Sequence, residues 1–324
     1  MPADAQEVVI FRGDQVKVRR RTSAGWLVAL ITISSFATAC SSSAEDPPAD
    51  MSAASSDHPF SLFLGEEIGQ IDYAQLKVRN KCLAKAGYPQ NLNVMLGQPR
   101  NPFRHLIITA RTFGPTSVEE AKRVGFGRDS LSAPPSVVSF DPNYDRAYDS
   151  CTDDAWKALS DDAKNVYYGY FDLGNKLSQP LSRTINERMG VSAWQKLLSC
   201  LDDKGHRPRS EQEFLQTPNP GLFGVPVGVD AAEGLDRWQP KQVPGTVEVG
   251  PAVPATQYQA GPVESALAVA WFECRQQTGI DKLQLQTAVE VQRELVDKYE
   301  SSFLELNPQV TRIAKQAAEL IGAP

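Results

Sequence analysis

The sequence predicts a mostly α-helical protein of two similar helical halves, each closed by one internal disulfide, with long Pro/Gly-rich loops. The cysteine pattern is the first observation behind this. Cys82-Leu83 is followed by Gly87-Tyr88-Pro89, and Cys200-Leu201 by Gly205-His206-Arg207-Pro208. Both cysteines thus precede a glycine suited to ending a helix, with proline just beyond. The other two cysteines also share a context, since Ala147-Tyr148-Asp149-Ser150-Cys151 matches Ala270-Trp271-Phe272-Glu273-Cys274. In each, ring and sulfur fall on one helical face, three residues apart. The second observation is apolar spacing of helical period through most of the chain. The third is its failure over residues 217–262, which hold eight prolines and seven glycines.

Four cysteines allow three connectivities. The matched contexts, separated by 69 and 74 residues, favour Cys82–Cys151 and Cys200–Cys274, with crossed pairing between the halves as the alternative. Each bond closes a loop worth about 4 kcal/mol in the chain-entropy account. Zinc binding or redox catalysis is disfavoured, because C-x-x-C is absent and the histidines number three: His58, His105 and His206. No metal and no cofactor is expected.

Along the chain, Ile68, Ile71, Val78 and Cys82 give residues 66–86 a helical stripe ending at Gly87. Residues 90–111 are ambiguous between short strands and buried helical turns. Thr116 with Glu119 forms a capping box for a short helix ending at Gly125. Residues 144–159 follow as a helix, and residues 161–189 as one helix or a pair, with Pro180 as breaker. Ser192 is expected to cap the next helix, whose buried side carries Trp194, Leu197, Leu198 and Leu201. The 217–262 region excludes long regular elements, and Pro262 opens the helix bearing Cys274. Leu285, Val289, Gln292, Val296, Tyr299, Phe303 and Leu306 form a 3.5-residue repeat. Pro308 is expected to open the last helix.

The N-terminal region carries a different kind of signal. Lys17, Arg19, Arg20 and Arg21 precede an apolar run from Trp26 to Phe36, which ends in Ala37-Thr38-Ala39-Cys40. A basic segment, an apolar segment and small residues at a cut are the parts of a secretory signal. The arrangement resembles a bacterial lipoprotein precursor with a lipobox, although Ala37 stands where that family usually has Leu or Val. The resemblance implies that Cys40 is lipidated and becomes the new N-terminus, anchoring the chain to the extracytoplasmic face of the cell membrane. Val16 or Val18 is a possible alternative start. The arginine run is also similar to a twin-arginine signal, but lacks the apolar residues expected after it. The rival reading is a retained membrane anchor, against which the 14 residues from Trp26 to Ala39 are short of the ~20 that a spanning helix needs.

The expected organisation is therefore a signal peptide (1–39), a flexible tether (40–59), a first helical half (60–190) and a second (191–324). The tether, SSSAEDPPADMSAASSDH after Cys40, has almost nothing to bury and spans on the order of 20–25 Å. Without residues 1–39 the chain holds 28 basic and 36 acidic residues, a net charge of −8. That balance, with no basic patch, excludes ordinary nucleic-acid binding, which draws on phosphate contacts.

Trp194, Cys200 and Gly205, the run Ala268-Val269-Ala270-Trp271-Phe272-Glu273-Cys274-Arg275 and the earlier Glu120-Ala121-Lys122-Arg123-Val124-Gly125-Phe126-Gly127 resemble a group of uncharacterised exported proteins of high-GC Gram-positive bacteria. The likeness spans residues 75–310, and Trp271 departs from the Asp of that group. It implies export and attaches no activity.

No G-x-S-x-G, H-E-x-x-H or phosphate loop is present. The leading expectation is a lipid-anchored binding module of the cell envelope that meets an unknown envelope protein or small ligand, through residues 217–262 or grooves between the halves. One alternative is an envelope hydrolase using paired carboxylates, with Asp145 and Asp149 as acid and base. They belong to a run of acids, Asp141, Asp145, Asp149 and Asp153 with Asp154, that reads either as a weak cation site or as a solvated helix face. Another is a small-ligand lipoprotein with a pocket rimmed by Tyr167, Tyr170 or Trp194. The cluster Tyr167, Tyr168, Tyr170 and Phe171 otherwise reads as core.

Overall fold

The computed structural model describes residues 58–95, 97–227 and 238–322. The expected signal peptide, Cys40, the tether up to residue 57 and the 228–237 part of the Pro/Gly-rich region lie outside the described residues. Helices dominate. The first, α1 (Gly65–Lys85), has Glu66 and Glu67 in its first turn and Lys85 in its last, the charge order its dipole favours. It stops before Gly87, whose φ of 101° needs no side chain to be accommodated. Residues 90–111, ambiguous in sequence, form tight helical turns at Pro89–Asn93, Arg104–Leu106 and Ala110–Phe113 joined by irregular chain.

The short α2 (Val118–Val124) is capped one residue later than expected. Ser117 Oγ accepts from the Glu120 N–H at 3.0 Å, while Glu120, rather than Glu119, reaches back to the Thr116 N–H at 2.6 Å. Next come α3 (Pro142–Leu159), capped by the Asp141 carboxylate, and α4 (Ala163–Ser178). After Pro180, α5 runs Leu181–Asp203 across a kink at Gly190, where φ is 72°. The break thus lies at a glycine in a left-handed conformation, not at a Ser192 cap. A short α6 (Glu211–Gln216) is followed by α7 (Pro262–Thr278), with proline at its start and Gly279 at its end.

Two further helices, α8 (Ile280–Lys298) and α9 (Glu300–Ile321), meet at Tyr299, so the apolar repeat is interrupted there. The turn is demanded by packing: α8 lies against α5, whereas α9 lies against α1 and α4. Pro308 consequently falls inside α9 instead of opening a helix. The buried face of α8 is also rotated from the expected stripe. Gln284, Thr287, Ala288, Val291, Gln292 and Leu295 point inward, and Leu285, Val289 and Val296 sit at the margin.

The remaining regular structure is a thin antiparallel ribbon, β1 (Val137–Ser139) with β2 (Val247–Val249), in the register Val137↔Val249. Isolated bridges Ala133↔Val253 and Ser130↔Thr256 extend it.

Both disulfides form as expected, Cys82–Cys151 between α1 and α3 and Cys200–Cys274 between α5 and α7. Their Cα–Cα distances of 5.6 and 5.7 Å are ordinary for such bonds. The elements of the two halves interlock, with α2 packed on α7 and α9 on α1. One apolar core therefore includes Ile71, Tyr170, Leu197, Trp271 and Val310. Packing in it is close enough to dictate Gly174, where a Cβ would come within 2.3 Å of the Phe103 ring. A smaller cluster of Leu83, Tyr144 and Cys151 lies at the far end of α1.

Replacing Cys200 and Cys274 together by alanine is expected to lower the unfolding free energy by about 2–4 kcal/mol. Urea transitions under non-reducing conditions measure this, and an unchanged midpoint would show that the bond is not made.

Candidate functional site

The acidic run sits on the outer face of α3. Asp145, Asp149, Asp153 and Asp154 are exposed along it, and Asp141 is occupied at the helix start, accepting from the Asn143 N–H at 2.9 Å. Asp153 pairs with Lys164 at 3.1 Å. Among the described residues nothing closes over Asp145 and Asp149, and both side chains stand open to water. Among the described residues no group of three or more His, Cys, Asp or Glu side chains could hold a metal ion.

The expected ring-lined pocket is not formed. Tyr167, Tyr170 and Trp194 are 7%, 0% and 3% exposed, and all belong to the core. Burial drives the Tyr170 hydroxyl far above its ordinary pKa. It accepts from the Leu64 N–H at 2.8 Å and donates to Asn307 Oδ1 at 2.8 Å. Tyr167 donates to Asp72 Oδ1 at 3.3 Å.

The described part of the 217–262 region wraps against the body through ordinary loop contacts. Phe223, next to Phe214 on α6, meets the Trp271 ring edge-on. Tyr258 donates its hydroxyl proton to Glu264 at 2.5 Å, and the same buried carboxylate accepts from the Phe126 N–H at 3.0 Å.

Open concavities occur elsewhere. One, of about 290 Å³, is lined by Tyr73, Lys77, Asn80 and Lys81 of α1 and, opposite them, by Leu92 and Met95. The four α1 residues stand at helical spacing, so their side chains share one side of the helix. Lys77 Nζ donates to the Ile321 carbonyl, at the end of α9, at 3.0 Å. Tyr73 donates to the Gly97 carbonyl at 3.3 Å. Beneath them Asn80 is 2% exposed, and neither its Oδ1 nor its Nδ2 finds a hydrogen-bond partner among the described residues. A second concavity, of about 240 Å³, is mostly apolar and lies between Leu62 and the Val296–Pro308 stretch, with Leu304 prominently exposed.

No family model, no curated protein and no solved structure matches this chain. Its chemistry therefore has to be read from its own residues. The α1 cleft combines two cations, an amide without a partner among the described residues and an apolar wall, a lining suited to an anion.

Sequence reasoning missed Asn80. It lies in the run Lys77-Val78-Arg79-Asn80-Lys81, off the expected stripe of Ile68, Ile71, Val78 and Cys82, and the turn Pro89–Asn93 packs on α1. Asp72 was equally hidden. Burial raises its pKa, opposed by the Tyr167 hydrogen bond and the Arg79 charge. An acid with a raised folded pKa binds more protons folded than unfolded, so stability falls as pH rises above the ordinary aspartate value of 3.8. Asp72→Asn is expected to stabilise the chain at about pH 7 and not at about pH 3, as measured by urea unfolding at both values. Equal effects at the two values would contradict the assignment.

Proposed function

We propose that this chain is a lipid-anchored, extracytoplasmic binding protein of the bacterial cell envelope, without enzymatic activity of its own. The observation that carries this reading is the pair of disulfides between separate helices, since such bonds persist in oxidising compartments and are rare in the cytosol. The signal-like run ending at Cys40 supplies the anchor, and the polar tether after it holds the helical body off the membrane. No described helix is long and apolar enough to cross a membrane. The interaction role is supported by the open clefts, and the exposed placement of Asp145 and Asp149 speaks against the hydrolase alternative. The partner is an envelope protein or a small ligand, not nucleic acid.

The anchor is tested by expressing the full chain in a Gram-positive host and weighing its N-terminal peptide. The mature protein is expected to begin at Cys40 and to carry the mass of a diacylglycerol. Cys40→Ala is expected to accumulate a form that still contains residues 1–39. A native chain that itself retains residues 1–39 would replace the lipid anchor by the retained apolar segment.

A further inference from the structure

We propose that the α1 cleft binds a short, extended peptide carrying a carboxylate: Asn80 pairs with its main chain, and Lys77 and Lys81 hold the acid. This rests on the reading of the chain as a binding protein and names the ligand class.

The starting point is the Asn80 side chain. An amide removed from water without hydrogen bonds is costly, and buried polar groups in folded proteins are nearly always paired. Asn80 is buried, and both ends of its amide are unpaired among the described residues. Its donor and its acceptor are therefore both left for a ligand that reaches them through the cleft Asn80 lines.

That requirement discriminates between ligands. Sulfate or a bare carboxylate only accepts hydrogen bonds, so it could accept from Nδ2 but would leave Oδ1 empty. Hydrogen phosphate brings an O–H but not the paired N–H and C=O of a peptide, and the titration below separates the two. A peptide in extended form presents an N–H and a C=O of one residue on the same edge, the arrangement that neighbouring strands exchange. The Asn80 amide can answer both at once.

Charge selects the rest of the ligand. Lys77 and Lys81 stand one turn apart at the cleft, and no acid lines it, in a chain whose overall charge is −6. Lys77 spends one N–H on the Ile321 carbonyl and keeps further donors on the same ammonium. Lys81 is exposed and free to swing toward an anion. Leu92, 52% exposed, and Met95 form the opposite wall, and the unbranched Met95 can adapt to different apolar side chains.

The volume of about 290 Å³ lies at the lower edge of the ~300–1,000 Å³ typical of small-ligand sites. A fragment of about two residues is therefore the natural occupant. Because Asn80 is almost fully covered, the long side chains at the rim must part as the peptide enters.

The test uses the full chain in mild detergent and isothermal titration with N-acetyl-alanyl-glutamate. The uncharged diamide of the same peptide, inorganic phosphate and phosphatidylglycerol vesicles serve as comparison probes. The acidic peptide is expected to bind at least about tenfold more tightly than its diamide or phosphate, the factor one charge-assisted hydrogen bond confers. Asn80→Leu is expected to abolish peptide binding while leaving the melting temperature unchanged or higher, because it removes an unpaired buried amide. Lys81→Gln, at an exposed position, should weaken binding and flatten its dependence on salt. Phosphate or the vesicles binding as well as the peptide would overturn the proposal while leaving a binding protein in place. Peptide binding unchanged in Asn80→Leu would overturn it too. Peptide recovered cleaved after incubation would instead overturn the non-catalytic reading, and mass spectrometry of the recovered probe tells these results apart.

Discussion

Backbone outside helices must still find hydrogen-bond partners when it is buried, and this constraint shapes the molecule more than any other. The irregular chain before α1 and between α1 and α3 presses against the helical body, yet most of its carbonyls have no ladder to join. Side chains supply the missing donors. Gln292 donates to the Leu106 carbonyl at 2.9 Å, Arg275 to that of Phe113 at 2.6 Å and Asn307 to that of Leu62 at 3.0 Å. Arg111 donates to the Gly127 carbonyl at 2.9 Å. Arg275 does this from inside the core, where burial lowers its pKa to about 10, so it remains cationic at neutral pH without a carboxylate at ion-pair distance among the described residues.

The same constraint explains where the sequence could be read and where it misled. The cysteine pairing was legible because it depends on local context repeated twice: a helix-ending glycine after one sulfur, and a ring one turn before the other. The helix start marked by Pro262, and the stop at Gly87, were legible for equally local reasons. The phase of α8 was not. Periodicity placed Leu285, Val289, Gln292 and Val296 on its buried side, but of these only Gln292 is buried, beside Gln284, Thr287, Ala288, Val291 and Leu295. The Gln292 bond to Leu106 crosses 186 residues of sequence, and no pattern of apolar spacing records a demand from so far away. Pro308 misled likewise. It normally ends or opens a helix, yet here it is carried within α9, whose Asn307 joins Tyr170 to the Leu62 carbonyl.

Of the candidate site, only the helix that carries it was legible in advance. Lys77, Asn80 and Lys81 drew no notice on it, and the wall of Leu92 and Met95 belongs to the 90–111 stretch that sequence left ambiguous. Residues that looked suggestive, the carboxylates of α3 and Tyr167 and Tyr170 of α4, prove to be a solvated ridge and core packing, with Tyr168 left exposed. Chemically conspicuous clusters are conspicuous because like residues recur. A cleft assembled from single residues of separate elements has no such signature.

The seating of the last helix on the first sets the order in which this chain can assemble. Contacts between α1 and α9 join residues more than two hundred positions apart, as the Lys77 bond to Ile321 does across 244. Such distant contacts carry a large loop-closure cost and slow the approach to the native state. The first helix therefore packs on α3 early but lacks its second neighbour until α9 has been made. A chain built this way completes its core only once α9 is in place, so the segment made late decides when the one made early becomes protected.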